Sequence, residues 1–202
     1  MRSTVVLILA LLPAVGMGRE AVGPAQTPAP GYQVGERLKP APHAPGRAAT
    51  RFKEIGWDAL VPTSWKPAKI FEGLDLSNLR DGDPRAMRAL ARLRDEWEKA
   101  PVNPAMNGAA VRIPGFVVPL ETAGKDLTEF LLVPYFGACI HAPPPPANQI
   151  IHVFPQAPAG NAASMSAVWV SGVLETAASD SWMGHSGYRM KAVRVEPYAP
   201  GG

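Results

Sequence analysis

The sequence has a single cysteine, Cys139, among its 202 residues. A lone thiol has no internal partner, so a disulfide-stapled fold is excluded. In an oxidising compartment Cys139 is buried and inert, paired with another molecule, or used chemically. Charge is also scarce, at 18% of residues with a net charge of +3, and no lysine and arginine cluster with interleaved aromatic residues occurs. The sequence therefore gives no indication of a nucleic-acid partner.

The sequence also lacks a hydrophobic run long enough to span a bilayer comfortably. Residues 5–15 form a short apolar run after the positive Arg2, and Gly16 and Gly18 follow with the spacing of a signal-peptidase site. We therefore predict a signal peptide over residues 1–18 and a periplasmic protein with no stable membrane insertion after cleavage. A short retained membrane anchor is the alternative. A lipoprotein anchor is not supported, because no cysteine lies near residue 18.

The length and the 47% hydrophobic content predict one core rather than two. Residues 19–50 are rich in proline, alanine and glycine and have almost no branched apolar residues, so we predict a disordered linker there. His43 within it is interpreted as a solvated linker side chain. Residues 51–198 are predicted to form a single globular domain, with an arm and helix over 51–104 and a β-barrel over 108–198.

One amphipathic helix is predicted before the β region. Asp83 is placed as its N-cap and Pro84 at its first position, and apolar residues then recur at three- and four-residue spacing as far as Ala100. We expect this apolar stripe to cover the open face of a sheet. Upstream, Trp57 and Trp65 are expected to dock on the core as part of an extended arm.

Five short strands are predicted after the helix, separated by turns and by loops at residues 156–164 and 176–186. One helix with five short strands favours a mostly β fold, a small OB-like, partly closed five-stranded barrel covered by the N-terminal amphipathic helix. The predicted strands are residues 110–121, 128–136, 149–154, 167–175 and 187–197.

Chemically capable residues concentrate in the connection between the second and third predicted strands. Cys139 and His141 are separated by one residue, so on an extended backbone their side chains would point the same way. A thiolate and an imidazole together select zinc, or alternatively copper. Two ligands do not make a stable site, so a third would come from Glu129, His152 or His185. Four consecutive prolines, which favour a rigid polyproline II conformation, follow at Pro143, Pro144, Pro145 and Pro146.

Three other interpretations of this loop stay open. Cys139 can be a small buried hydrophobe and His141 a hydrogen-bonded loop residue. His141 can instead activate Cys139 as a nucleophile, although no paired cysteine or oxyanion-hole motif accompanies it. The loop can also be a rigid apolar surface for another exported protein or a membrane protein. The partner-binding residues would then be Tyr135, Phe136, the four prolines, Asn148 and Gln149.

The stretch T-E-F-L-L-V-P-Y-F-G-A-C-I-H-A-P-P-P-P-A-N-Q at residues 128–149 resembles a bacterial family of exported proteins known only as a domain of unknown function. R-I-P-G-F-V-V-P-L-E at residues 112–121 and V-W-V-S-G-V-L-E at residues 168–175 support the resemblance. It implies a periplasmic or lipoprotein accessory of an ABC transport system, in some members linked to zinc uptake. By this resemblance Glu129, Cys139 and His141 are the preferred metal ligands and His152 is auxiliary.

The sequence thus predicts a non-enzymatic periplasmic accessory of an ABC transporter that binds or passes on a transition metal. The predicted cofactor is zinc, with copper as the alternative. A protein-interaction module that docks through its rigid proline-rich loop is the alternative.

Overall fold

The computed structural model describes residues 31–38, 51–67, 83–157, 159–160 and 162–198. The predicted signal peptide and His43 lie outside these residues. Within them one α-helix, α1, runs over Pro84–Glu98, and short 3-10 turns occur at Trp57–Leu60, Pro104–Met106 and Ala147–Gln149. The strands are β1 (Lys53–Glu54), β2 (Ala110–Ala123), β3 (Asp126–Val133), β4 (Ile151–Pro155), β5 (Ala167–Ser181) and β6 (Gly184–Pro197).

The six strands form one sheet whose hydrogen bonds close into a ring. Their order is β1-β2-β3-β4-β6-β5, and β5 pairs again with β2. The long β2 makes this closure possible, because Ala110 to Phe116 pair with β5 and Phe116 to Ala123 pair with β3. β4 and β6 run parallel, with Ile151 opposite Tyr188. This pairing brings the connection between β3 and β4 close to the start of β6.

The prediction of a mostly β protein with one helix is confirmed. The five predicted strands are present as β2 to β6, but the predicted loop over residues 176–186 is wrong. β5 continues to Ser181 and β6 begins at Gly184, so this region is a long hairpin. Its residues pair across the hairpin, as in Ser179 with Ser186 and Asp180 with His185. The polar and small residues there lack the apolar alternation by which a strand is recognised.

Buried side chains of the ring form its core, with Ile113, Phe130 and Leu132 fully enclosed. Tyr188 is also fully buried, and its hydroxyl donates to the Leu60 carbonyl at 2.7 Å and accepts from the Asn103 amide at 2.6 Å. The segment before α1 is therefore linked to β6 by a hydrogen bond between Leu60 and the buried Tyr188. Trp57 docks on the same core, as expected from the sequence, and its indole nitrogen donates to the Pro114 carbonyl at 2.7 Å.

The helix begins as predicted but does not cover the sheet. The Asp83 carboxylate accepts from the Arg85 amide at 2.8 Å, and hydrogen bonds from Arg85 lower the pKa of Asp83. Ala89 is the buried residue of α1, whereas Met87 and Leu90 are exposed. The expected covering role does not hold because the sheet closes on itself and fills its inner face with its own side chains. None of the described helices is both long and apolar enough to cross a membrane.

Residues 31–38 lie within the predicted linker and yet pack against the ring. Tyr32 makes an edge-to-face contact with Phe116 at a centroid distance of 5.2 Å. The Gly35 amide donates to the Phe136 carbonyl, and the Phe136 amide donates to the Glu36 carbonyl, each at 2.9 Å. The predicted disorder therefore does not hold for this part of the segment, because one aromatic side chain and a pair of backbone hydrogen bonds fix it.

Candidate functional site

The turn that carries Cys139 and His141 is compact rather than extended. The Gly137 carbonyl accepts from the amides of Ile140 at 3.2 Å, His141 at 2.7 Å and Ala142 at 2.9 Å. Cys139 has a φ of 63°, in the left-handed region that a non-glycine residue seldom adopts. The inference that both side chains point the same way on an extended strand is therefore wrong. Gly137 supplies the positive φ of 84° that starts this turn.

The Cys139 thiol is a poor nucleophile in this fold. The residue is partly buried and packs against the apolar cluster of Phe116, Phe136 and Ile150. Burial raises the pKa of Cys139 from 9.0 to about 11. Because the thiolate is the reactive form, the thiol is almost wholly protonated near neutral pH. This environment fits the interpretation of Cys139 as a small buried hydrophobe.

Alkylation of Cys139 by iodoacetamide is expected to be at least about 100-fold slower in the native protein at pH 8 than in the urea-unfolded chain, since the pKa differs by roughly two units. The native rate should rise about tenfold per pH unit up to about pH 11, because below the pKa the ionised fraction grows tenfold per unit and it levels off only above the pKa. Mass spectrometry of timed, quenched samples measures both rates. A native rate equal to the unfolded rate at pH 8 would contradict the burial of this thiol.

A hydrogen-bonded cluster on three strands joins Glu129 of β3, His152 of β4 and Ser179 of β5. His152 is buried, its Nε2 lies 2.6 Å from Glu129 Oε1, and its Nδ1 lies 2.8 Å from Ser179 Oγ. The Phe154 ring lies 4.4 Å from the imidazole, centroid to centroid. Both ring nitrogens therefore have partners, and the cluster links β4 to its neighbour β3 and, beyond the intervening β6, to β5. Sequence reasoning singled out Glu129 and His152 but missed Ser179, which lies in the predicted loop.

The predicted metal ligands do not come together as one set. Glu129 and His152 contact each other, whereas Cys139 and His141 belong to the separate turn, and His185 pairs with Asp180 at 2.6 Å on the hairpin. Among the described residues, no group of three or more histidine, cysteine, aspartate or glutamate side chains is placed to hold a metal ion. Zinc or copper binding stays a prediction.

Three hydrogen bonds from side chains anchor the proline loop, residues 143–146, and the 3-10 turn that follows it. Burial raises the pKa of Tyr135, and its protonated hydroxyl donates to the Pro143 carbonyl at 2.7 Å. The Asn148 amide nitrogen donates to the Pro101 carbonyl at 2.9 Å. Arg37 donates to Gln149 Oε1 at 3.4 Å. With four prolines between these contacts, the loop has little conformational freedom to lose on binding.

The predicted partner-binding residues differ in exposure. Pro143 and Pro144 are exposed, and Tyr135, Pro146 and Gln149 are half-buried. The remaining three residues are buried and position the loop rather than present a surface: Phe136, Pro145 and Asn148. Within the described chain, the part of this set that a partner can reach most easily is therefore the outer face of the first two prolines.

The proline loop forms one wall of an apolar groove of about 590 Å³. Helix α1 forms a second wall with Leu93 and Trp97, and the turn between β5 and β6 forms a third with Trp182 and Met183. Polar side chains line part of it: Arg94, Glu98 and His185. Leu93 and Trp97 belong to the apolar stripe that the sequence predicts for this helix, and their spacing alone does not indicate a groove. An isolated tryptophan in an otherwise polar segment, Trp182, was the available signal for the third wall.

Residues 57–197 match the model of a family described as protein of unknown function, DUF3299. The chain belongs to the DUF3299 family. A crystal structure of a DUF3299 protein from Pseudomonas aeruginosa PAO1 is 33% identical, with 75% of this chain and 99% of that chain covered and a TM-score of 0.58. The membership confirms the resemblance to a domain of unknown function. No curated protein matched this chain.

The DUF3299 match covers the helix, the proline loop, the hairpin and the His152 cluster, so every wall of the groove lies within the family region. A Leishmania major Friedlin protein that carries the name of an aspartyl-tRNA synthetase also matches, at 14% identity over 51% of this chain and 19% of that chain. Its TM-score of 0.32 carries no argument about this chain.

Proposed function

We propose that this DUF3299 protein is a non-catalytic interaction module that docks an apolar segment of another exported protein in the groove beside its proline loop. The observation that carries this proposal is the apolar groove itself, walled by Leu93 and Trp97, by Pro143 and Pro144, and by the hairpin turn. A groove with three apolar walls suits side chains that lose water on entry.

Two features of the walls support docking. The proline loop is held by hydrogen bonds at Pro143 and at Asn148, so binding orders little further chain. Tryptophan is among the residues that dominate binding energy at protein interfaces, and Trp97 and Trp182 both line the groove, one from α1 and one from the hairpin turn. Arg94 and Glu98 add charged groups to the mainly apolar lining of the groove, and interfaces commonly combine an apolar core with polar groups around it.

We interpret the ring of β2 to β6 as an OB-like barrel. Five strands, the double pairing of β2 and the return of β5 to β2 support this interpretation. The proline loop, the hairpin turn and α1 would then form one end of the barrel, with the groove among them.

Export and an ABC-transport partner are part of the same proposal. The apolar run of residues 5–15 after Arg2 supports export. The family resemblance of residues 128–149 supports a transporter or another exported protein as the occupant of the groove. A cleaved product that begins near residue 19, found by N-terminal sequencing of the protein from its own cells, tests the export step.

The substitution Leu93→Asp is expected to reduce recovery of the partner at least about tenfold, because an unpaired carboxylate would enter an apolar wall. The tagged chain is expressed in its own organism and treated with a cell-permeable crosslinker. The partner is identified by mass spectrometry with the unaltered protein and then quantified with each variant.

Val193→Asp is the matched control, because Val193 is an exposed apolar residue of β6 that does not line the groove. Partner recovery with this control should equal that of the unaltered protein. Equal losses for the two variants, with both folded by circular dichroism, would overturn the docking proposal.

Chelation separates docking from metal handling. If the groove binds its partner through apolar contacts, recovery should be unchanged after treatment with a strong chelator. Elemental analysis of the same samples reports any zinc or copper that the chelator removed. Loss of the partner together with stoichiometric metal would favour the predicted metal function of Cys139, His141, Glu129 and His152 instead.

A further inference from the structure

The groove beside the proline loop contains a hydrogen-bond donor that the described chain leaves unpaired. Nε1 of Trp97 is shielded from solvent and has no hydrogen-bond partner among the described residues. Trp97 is part of the α1 wall of the groove. An unpaired, buried N–H raises the free energy of the folded protein, and an acceptor supplied from the groove would remove that penalty once the ring turns toward it. A ligand with such an acceptor is therefore favoured at this wall.

Arg94 adds further donors to the same wall of the groove. A guanidinium group carries five N–H donors, and that of Arg94 makes no ion pair with the residues that the structure describes. Glu98, one helical turn further along, also has no ion pair within the described chain, so the two opposite charges balance in the lining. Charge complementarity therefore favours an occupant that has no net charge and has hydrogen-bond acceptors to spare.

We propose that the occupant of the groove is an extended, proline-rich segment of the partner in the polyproline II conformation. This inference rests on the docking proposal and names the class of segment that docks. A polyproline II chain has no internal hydrogen bonds, so its carbonyls are free to accept from Trp97 and Arg94. Proline rings are apolar, and proline has no N–H group that would need an acceptor inside the groove.

A helical segment would satisfy these donors less well. Carbonyls inside an α-helix already accept from amides of the next turn, so only the last turn of a helix has carbonyls free for Trp97. A second aromatic residue also supports the extended class. Trp182 is 76% exposed and borders the groove from the hairpin turn. Polyproline II segments dock in aromatic-lined grooves, and because their conformation is already formed they lose little entropy on binding.

An NMR titration of the purified protein tests the inference. The probe is a capped polyproline decapeptide, and a neutral helical peptide of alanine, leucine and glutamine is the comparison. We expect polyproline to bind more tightly than the helical peptide and to shift the indole N–H signal that the Trp97→Phe protein lacks. Trp97→Phe should weaken polyproline binding at least about fivefold, the effect of one lost hydrogen bond. Trp182→Ala should weaken it at least about tenfold.

Trp65→Phe is the matched control. Nε1 of Trp65 is also shielded and without a partner among the described residues, but Trp65 does not line the groove. This variant should bind polyproline as the unaltered protein does. An unmoved Trp97 signal, tighter binding of the helical peptide, or equal weakening by Trp65→Phe would overturn the inference. If Leu93→Asp still reduces recovery of the cellular partner while polyproline does not bind, docking in the groove stands and the proline-rich class alone fails.

Discussion

Gly172→Val is expected to lower the free energy of unfolding by about 4 kcal/mol or more. A Cβ at Gly172 would lie 2.5 Å from the Lys191 carbonyl oxygen and 3.0 Å from the Ala192 Cα. Both are backbone atoms of the paired strand, so neither can move aside without breaking the β5–β6 ladder. The position also coincides with a register shift between Ser171 and Gly172, where the strands approach closely. Urea denaturation followed by circular dichroism measures the loss.

Gly56→Ala is the matched control for this effect. Gly56 has a φ of −90°, and a Cβ there would meet no atom within 4 Å. Its free energy of unfolding should stay within about 0.5 kcal/mol of the unaltered protein. A Gly172→Val protein as stable as the Gly56→Ala protein would show that β5 and β6 do not approach as closely as the structure places them.

Tyr188→Phe is expected to lower the free energy of unfolding by about 2 kcal/mol although it keeps the ring and its packing. The hydroxyl satisfies two backbone groups, the Leu60 carbonyl and the Asn103 amide, and the ring is fully buried. The Asn103 amide also donates to the Leu60 carbonyl at 3.3 Å, so both groups keep a longer hydrogen bond, and the loss is that of two hydrogen bonds worth about 1 kcal/mol each. Because both groups belong to the region before β2, this substitution should loosen that region as well as lower global stability.

Hydrogen exchange distinguishes local loosening of the region before β2 from a loss of global stability. Amides around Leu60 and Asn103 should lose protection in the Tyr188→Phe protein at denaturant concentrations where the ring strands keep theirs. Tyr135→Phe is the comparison, since it removes one hydroxyl whose acceptor, the Pro143 carbonyl, is on an exposed residue. Its cost should be about 1 kcal/mol. Identical stabilities for both variants would contradict the role of the Tyr188 hydroxyl.

The sequence predicted local elements well where the signal was local. Asp83 followed by Pro84 placed the start of α1, because capping depends on neighbouring residues alone. Runs of apolar residues predicted five strands, which the structure contains as β2 to β6. The hairpin beyond Glu175 was missed because its pairs, such as Ser179 with Ser186, are polar on both strands. The covering helix was wrong because ring closure depends on β2 pairing with two partners, which no local pattern reveals.

In the candidate site too, the sequence predicted the features that depend on neighbouring residues and missed those that depend on strand pairing. Consecutive prolines predicted a rigid loop, and the structure adds hydrogen bonds to it from Tyr135 and Asn148, which lie in the same sequence segment. Placing Ser179 beside His152 requires the pairing register of several strands, which spacing along the chain does not give. The extended geometry assumed for Cys139 failed because Gly137 starts a compact turn. The groove wall formed by Trp182 depends on the hairpin that was missed.

Site-specific photo-crosslinking tests the docking proposal most directly. A photoreactive amino acid replaces either Met183, which lines the groove, or Val193, which is exposed on β6. Val193 lies about 30 Å along β6 from Gly184, the residue at which this strand begins beside the groove. The account predicts that irradiation in the native cells joins the Met183 position to one discrete partner protein and leaves the Val193 position without that product. The same partner joined equally at both positions, or at Val193 alone, would contradict a docking site in the groove.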